Sequence, residues 1–114
     1  MFTFLLIYFL VGLLFIFISL PLIKRKIKIN HWYGIRLPQT MKDERIWYEV
    51  NARSGKHLLI LGIIICLLSI LFYLGDFFTL IVTTVLFTII VLVGVIIIAI
   101  MAFAITSKVS KQAN

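Results

Sequence analysis

The sequence predicts an all-α membrane protein with three transmembrane helices and a short amphipathic interfacial helix in the cytoplasmic loop between the first and the second. Two observations support this fold class. The chain of 114 residues is 63% hydrophobic and only 13% charged, with a mean hydropathy of +1.20, whereas soluble domains are about half apolar. Nine of its eleven Lys and Arg residues lie between Lys24 and Lys56. The charge-free stretches on either side are long enough to cross a bilayer, so residues 1–114 are predicted to form a single membrane domain.

The first predicted span covers residues 2–23, which contain no charged side chain. At about 1.5 Å per residue, a helix of this length reaches roughly 33 Å and can cross a hydrocarbon core of about 30 Å. A cleaved signal peptide is the alternative, but the stretch has neither a basic n-region nor a small-x-small cleavage site. We therefore expect an uncleaved helix.

The second predicted span covers residues 58–74 and the third covers residues 77–105, followed by a tail at 106–114. Gly75 and Asp76 separate the two spans and predict a tight helical hairpin. One continuous helix through both spans is the alternative, but it would hold the Asp76 carboxylate near the middle of the membrane at considerable cost. Two separate spans are therefore expected.

The basic residues also predict an orientation. Three crossings place the loop at 24–57 and the tail at 106–114 on one side, and these two segments carry all eleven Lys and Arg residues. Cytoplasmic segments next to membrane helices are enriched in Lys and Arg. The expected location is therefore the cytoplasmic membrane, with the N-terminus outside and the loop and tail in the cytoplasm.

The three predicted spans contain no Asp, Glu, Lys, Arg or His. Proton-coupled pumps and exporters need a carboxylate within the membrane, so the class of transporters is disfavoured unless another subunit supplies the coupling. Thr84 and Thr88 share a helix face and can bond their own preceding turn or a neighbouring helix. Gly12 and Gly62 are expected to be positions of close helix packing.

The loop begins with KRKIKIN at residues 24–30, directly after the first span. Cations at this position can reach the phosphates of anionic head groups, each contributing about 1 kcal/mol. Because the basic residues flank apolar spans, lipid contact is favoured and nucleic-acid binding is not expected. The candidate lipid or partner contacts are Lys24, Arg25, Lys26, Lys28, Lys42, Arg45, Arg53 and Lys56.

The middle of the loop, NHWYGIRLPQT at residues 30–40, predicts a structured turn. Gly34 permits backbone angles that other residues resist, and Pro38 fixes its own φ and favours an extended residue before it. Trp32 and Tyr33 have the amphipathic rings that settle at a membrane interface. Arg36 is the charged side chain within this turn, with a phosphate or a helix end as its simplest contact.

The last part of the loop predicts a helix at about 41–54. Thr40 with Asp43 resembles a capping box, and Gly55 suits the position that ends a helix. On a helical wheel Ile46, Trp47 and Val50 share one side, while the opposite side carries charge. Glu49 and Arg53 are spaced for an i,i+4 ion pair. This pattern is typical of an amphipathic helix that lies on the membrane surface.

A catalytic or metal site is not predicted. His31 and His57, the two histidines, are far apart in the sequence, and Cys66, the one cysteine, lies within an apolar span. Neither histidine has an i,i+4 partner, and no phosphate-binding glycine loop or nucleophile elbow is present. We expect no enzyme activity, no cofactor and no metal.

The loop resembles the SdpI family of bacterial integral membrane proteins. The family pattern of Gly-x-Arg, Thr, Trp, Asn and Gly falls on a set of residues within about 20–75: Gly34, Arg36, Thr40, Trp47, Asn51 and Gly55, with Asn30 and Pro38 as looser matches. Leu37 stands where many members have Thr. By this resemblance the motif residues are the candidate functional site.

The resemblance implies an immunity role in a bacterial cytoplasmic membrane. The best-known member of the family protects its own cell from a secreted toxic peptide, and it also holds a repressor at the membrane. The first hypothesis is therefore an immunity or tolerance factor against a membrane-acting toxic peptide. The second is a regulatory scaffold that recruits a soluble protein, such as a repressor, through its basic loop. A small transporter subunit is less favoured, and a homo-oligomer is a candidate assembly because three helices bury little surface against one another.

Overall fold

The computed structural model describes residues 2–75 and 79–113 and confirms the predicted fold class. The order of helices is α1 (Phe2–Ile23), α2 (Pro38–Lys42), α3 (Glu44–Gly75) and α4 (Leu80–Ala113). Three of these helices, α1, α3 and α4, are long and apolar enough to cross a membrane, and the short α2 lies between the first two. The predicted hairpin residue Asp76 and the predicted start of the third span at 77–78 lie outside the described residues.

α1 ends in a turn that satisfies its last carbonyl groups. The Arg25 N–H donates to the Leu22 carbonyl at 3.2 Å, and the Lys26 N–H donates to the Pro21 carbonyl at 3.0 Å. This is the Schellman pattern, in which the residue after the cap is left-handed and is usually Gly. Here that residue is Arg25, with φ of 59°, so the turn carries a strain of about 1–2 kcal/mol.

The predicted break between an interfacial helix at 41–54 and a span at 58–74 is wrong. α3 continues through both segments as one helix of 32 residues. Gly55 lies inside it, where a Cβ would be 3.1 Å from the Leu22 Cβ and 3.2 Å from the Ser19 carbonyl oxygen. A glycine within a helix costs only about 1 kcal/mol, and close packing on α1 offsets that cost.

The start of this helix also differs from the prediction. Asp43, not Thr40, caps α3: its Oδ1 accepts the N–H groups of Arg45 at 2.9 Å and Ile46 at 3.4 Å. This is the ordinary role of an Asp at the N-cap. Thr40 lies one turn earlier in α2 and is fully buried. The amphipathic segment is therefore the first part of a long helix, with α2 as the separate short helix.

α1 and α3 pack antiparallel, with Gly12 facing Gly62. A Cβ on Gly62 would be 2.7 Å from the Gly12 carbonyl oxygen, and a Cβ on Gly12 would be 2.5 Å from the Cys66 Sγ. Small residues allow backbones to approach in this way within membranes. The prediction that both glycines are close-packing positions is confirmed.

α4 is longer than the predicted span at 77–105, because the predicted tail is helical as far as Ala113. The extension is stabilised by tertiary packing: Val109 belongs to a buried cluster with Ile46 and Val50 of α3. The N-terminal part of α3 and the C-terminal part of α4 thus lie together. Val109, the one large apolar residue in the segment 106–114, is the sequence signal for this contact.

The opposite end of the bundle is held by an aromatic cluster around Phe87, which is fully buried. Phe4 of α1 and Phe72 of α3 meet its ring edge-on, with centroids at 4.9 and 5.2 Å. The Oη of Tyr8 lies 3.1 Å from the Thr88 Oγ1, while the Thr88 hydroxyl donates to the carbonyl of its own preceding turn at 2.9 Å. Thr88 therefore bonds its own preceding turn and also contacts a neighbouring helix, the two roles expected for this face.

We predict that Gly62→Ala destabilises the protein more than Gly94→Ala. A Cβ at residue 62 meets a backbone oxygen at 2.7 Å, whereas a Cβ at residue 94 meets the flexible end of Leu61 at 2.6 Å. Overpacking against backbone typically costs about 1–3 kcal/mol. Thermal unfolding in detergent measures the difference, and equal midpoints for the two variants would contradict the proposed backbone contact.

Candidate functional site at the membrane interface

The motif residues lie in one structural unit, formed by the loop and the first part of α3, which we call the interfacial unit (residues 24–57). Its first element is a turn around Asn30. The Asn30 Oδ1 accepts the N–H groups of Trp32 at 2.8 Å and Tyr33 at 2.7 Å, and its Nδ2 donates to the Lys28 carbonyl at 2.7 Å. Asn is suited to this role because its side chain can replace backbone partners in a turn.

The second element joins the loop to α3 through Asn51 and Trp47, which are both buried. The Ile35 N–H donates to the Asn51 Oδ1 at 2.5 Å, and the Asn51 Nδ2 donates to the Trp47 carbonyl at 2.9 Å. The Trp47 Nε1–H in turn donates to the Ile27 carbonyl at 2.7 Å. These bonds satisfy polar groups that burial would otherwise leave unpaired.

Gly34 is required where the loop crosses Trp47 and Asn51. Its φ is +107°, and a Cβ there would lie 2.7 Å from the Asn51 Oδ1 and 3.1 Å from the Trp47 ring. Any other residue is thus opposed by both the backbone conformation and the available space. The turn expected at Gly34 is present.

Thr40 is buried within the unit and bonds the backbone of the loop. Its Oγ1 accepts the Leu37 N–H at 2.9 Å and lies 2.9 Å from the Ile35 carbonyl, to which it donates. Pro38 is the first residue of α2, where its missing N–H leaves no helical hydrogen bond unmade. The motif residues Asn30, Gly34, Pro38, Thr40, Trp47 and Asn51 are thus all used in building the unit, and Gly55 packs it on α1.

Arg36 and Trp32 face outward, whereas Tyr33 packs on α1. Trp32 is 91% exposed, while the Tyr33 hydroxyl donates to the Ile18 carbonyl of α1. Burial raises the pKa of Tyr33, so its phenol stays neutral and can donate this bond. The Arg36 guanidinium donates to the His31 carbonyl at the surface.

Within residues 2–75 and 79–113, the ion pairs form a network centred on Glu49. Its carboxylate contacts Arg25 at 2.8 Å and Arg53 at 2.7 Å. The pair with Arg53 was expected from the spacing, but the contact with Arg25 was not, because it joins two segments far apart in sequence. The Arg25 hydrogen bond is the larger cause of the lowered pKa of Glu49. This network ties the strained end of α1 to α3.

The remaining basic candidates are displayed on the surface. The exposed ones are Lys24, Lys26, Lys28, Lys42, Arg45 and Lys56. Within the ranges that the structure describes, no group of three His, Cys, Asp or Glu side chains is placed to hold a metal ion. The unit therefore offers a cationic surface on a rigid, hydrogen-bonded base.

The model of the SdpI/YfhL protein family matches residues 26–104, which include nearly all of this unit and most of the chain. The chain belongs to this family. It is also 42% identical to Immunity protein SdpI of Bacillus subtilis (strain 168) over 52 residues, which make up 46% of this chain and 24% of that relative. The match therefore spans only about a quarter of the relative's length. No solved structure matches the chain significantly.

We predict that Trp47→Ala strongly destabilises this SdpI-family protein and that Trp32→Ala does not. Trp47 is fully buried and Trp32 is 91% exposed, and truncation of a buried Trp typically costs about 3–5 kcal/mol. Thermal unfolding in detergent and the amount of membrane-inserted protein measure both variants. Similar losses in the two would show that the loop is not packed on α3.

The Glu49 network predicts a dependence of stability on pH. The pKa of the Glu49 carboxyl is lower in the folded protein than in the unfolded chain. Its contribution to the free energy of unfolding is therefore present above the unfolded pKa and is lost as the pH falls through the folded pKa. We expect the unfolding midpoint of Glu49→Gln to be lower than that of the wild type at neutral pH and the two to converge in acid. The exposed Glu44→Gln is the matched control, and a pH-independent difference for Glu49→Gln would contradict the prediction.

Proposed function

We propose that this protein is an SdpI-like immunity or tolerance factor, a non-enzymatic multi-pass membrane protein that protects its cell from a membrane-acting toxic peptide. Family membership and the immunity protein among its relatives support this proposal. The observation that carries it is the interfacial unit, in which the motif residues form one rigid hydrogen-bonded base instead of a catalytic arrangement. Because the unit also holds α1 against α3, the bundle is preorganised and loses little conformational entropy when it binds a peptide.

We further propose the orientation given by the basic residues, with the N-terminus outside and the interfacial unit in the cytoplasm. A secreted peptide would then first meet the opposite end of the bundle. There, a cavity of about 360 Å³ opens between α1 and α4, lined by Thr3, Phe4, Ile7, Tyr8, Leu80 and Thr84. Its apolar walls and few hydroxyl groups suit an apolar segment of a peptide within the outer half of the membrane.

The proposal predicts that deletion of the gene sensitises cells to at least one membrane-acting peptide made by related strains. The wild-type chain and Leu10→Trp should restore resistance, because Leu10 is exposed and does not line this cavity. Ile7→Trp, which fills the cavity, should not restore it at equal protein level. Unchanged sensitivity of the deletion strain to every peptide would argue strongly against an immunity role.

The orientation predicts which cysteines are labelled in intact cells by a reagent that cannot cross the membrane. In a Cys66→Ala background, we expect labelling of Thr3→Cys in intact cells and labelling of Trp32→Cys only after the membrane is opened. Both native residues are exposed. Labelling of Trp32→Cys in intact cells would show that the topology is the reverse of the proposed one.

A regulatory scaffold is the second candidate function. It is favoured by Lys42, Arg45 and Lys56, which are exposed, and by Arg53 beside them. We propose that these cations would recruit an acidic surface of a soluble partner such as a repressor. Recovery of a partner by the wild type but not by the variant with all four residues neutralised would support this role. Equal recovery by the two proteins would show that these four cations do not bind the partner.

A further inference from the structure

A cavity of about 230 Å³ lies between the loop and α4. It is lined by loop residues 34–37 and by Ala99, Ala102 and Phe103 of α4. The proposed immunity role makes no use of this cavity. It brings the exposed guanidinium of the motif residue Arg36 beside an apolar helix surface.

Arg36 is available to bind an anion. Its side chain is exposed, and it forms no ion pair with any residue in the described part of the chain. The hydrogen bond from its Nη1 to the His31 carbonyl orients the guanidinium and still leaves other N–H donors. No carboxylate lines the cavity, so nothing at the site opposes an anionic group.

The other wall of the cavity suits a hydrocarbon chain. Ala99 and Ala102 have small side chains that leave room beside α4, and Phe103 is 62% exposed. On a membrane-spanning helix an exposed phenyl ring faces lipid. The cavity therefore has an apolar wall on α4, which would face hydrocarbon in a bilayer, and a cation on the side of the loop.

We propose that this cavity binds one anionic phospholipid, with its phosphate on the Arg36 guanidinium and an acyl chain against Ala99 and Phe103. Arginine suits this contact because its planar fork can donate two parallel hydrogen bonds to a phosphate. The net charge of +7 favours an anionic over a zwitterionic lipid. The apolar wall favours a lipid over free phosphate, which would leave that wall uncovered.

Native mass spectrometry of the whole protein in detergent tests the proposal, with phosphatidylglycerol as the probe. We expect Arg36→Gln to weaken phosphatidylglycerol binding about tenfold or more, because hydrogen bonds to charged groups contribute about 1.5–3 kcal/mol. Lys111→Gln, which removes an exposed cation outside the cavity and outside the candidate lipid contacts, should bind like the wild type. If the two variants weakened phosphatidylglycerol binding equally, the effect would come from general surface charge, and the proposed site would be contradicted.

The source of the phosphate is tested in the same experiment. Diacylglycerol, which lacks phosphate, should bind weakly to the wild type, and phosphatidylcholine should bind less tightly than phosphatidylglycerol. Millimolar inorganic phosphate should not displace the bound lipid. Displacement by inorganic phosphate, or equal binding of diacylglycerol, would overturn the proposed phospholipid contact.

A second pair of variants tests the apolar wall without altering Arg36. Ala99→Phe fills the cavity and should lower phosphatidylglycerol binding. Ile100→Phe places the same ring on the adjacent residue, which is 63% exposed and does not line the cavity, and should leave binding unchanged. Helical content by circular dichroism establishes that each variant is folded. Unchanged lipid binding by a folded Ala99→Phe variant would contradict the proposal.

Discussion

The amide of Asn51 is the interaction on which the interfacial unit depends. Its oxygen accepts the Ile35 N–H and its nitrogen donates to the Trp47 carbonyl, so one side chain joins the loop to α3. Because Asn51 is buried, loss of either bond would leave a polar group unsatisfied, at a cost of about 1–3 kcal/mol. The same contact explains why Gly34 has no side chain, since a Cβ there would lie against the Asn51 oxygen.

This constraint also relates the loop to the rest of the bundle. Asn51 and Trp47 belong to the first turns of α3, and the same helix continues into the membrane past Gly55. The loop is therefore fixed to a rigid element that also contacts α1 at Gly62 and α4 at Val50. Side chains on the surface of the loop therefore have a defined position relative to the membrane helices. They include Arg36 and the exposed cations. A recognition surface benefits from such a base, because its geometry is set before a ligand arrives.

The sequence was sufficient for features that rest on local chemistry. The absence of charge in the spans predicted three membrane helices, and the spacing of Glu49 and Arg53 predicted their ion pair. It was not sufficient where distant segments decide the outcome. Gly55 is a residue type that commonly ends helices, yet α3 continues through it because α1 packs against it. Thr40 has the character of a cap, yet it is used inside the loop. The Arg25–Glu49 contact depends on how α1 ends and had no local signal.

Hydrogen–deuterium exchange at the Ile35 amide tests the central claim most directly, because that N–H is bonded to the Asn51 side chain. In protein embedded in lipid nanodiscs, we expect the Ile35 amide to exchange much more slowly than that of Lys28, an exposed loop residue. Asn51→Leu should remove the protection at Ile35 while amides in the middle of α3 remain protected. Fast exchange at Ile35 in the wild type, or unchanged protection in Asn51→Leu, would contradict the account.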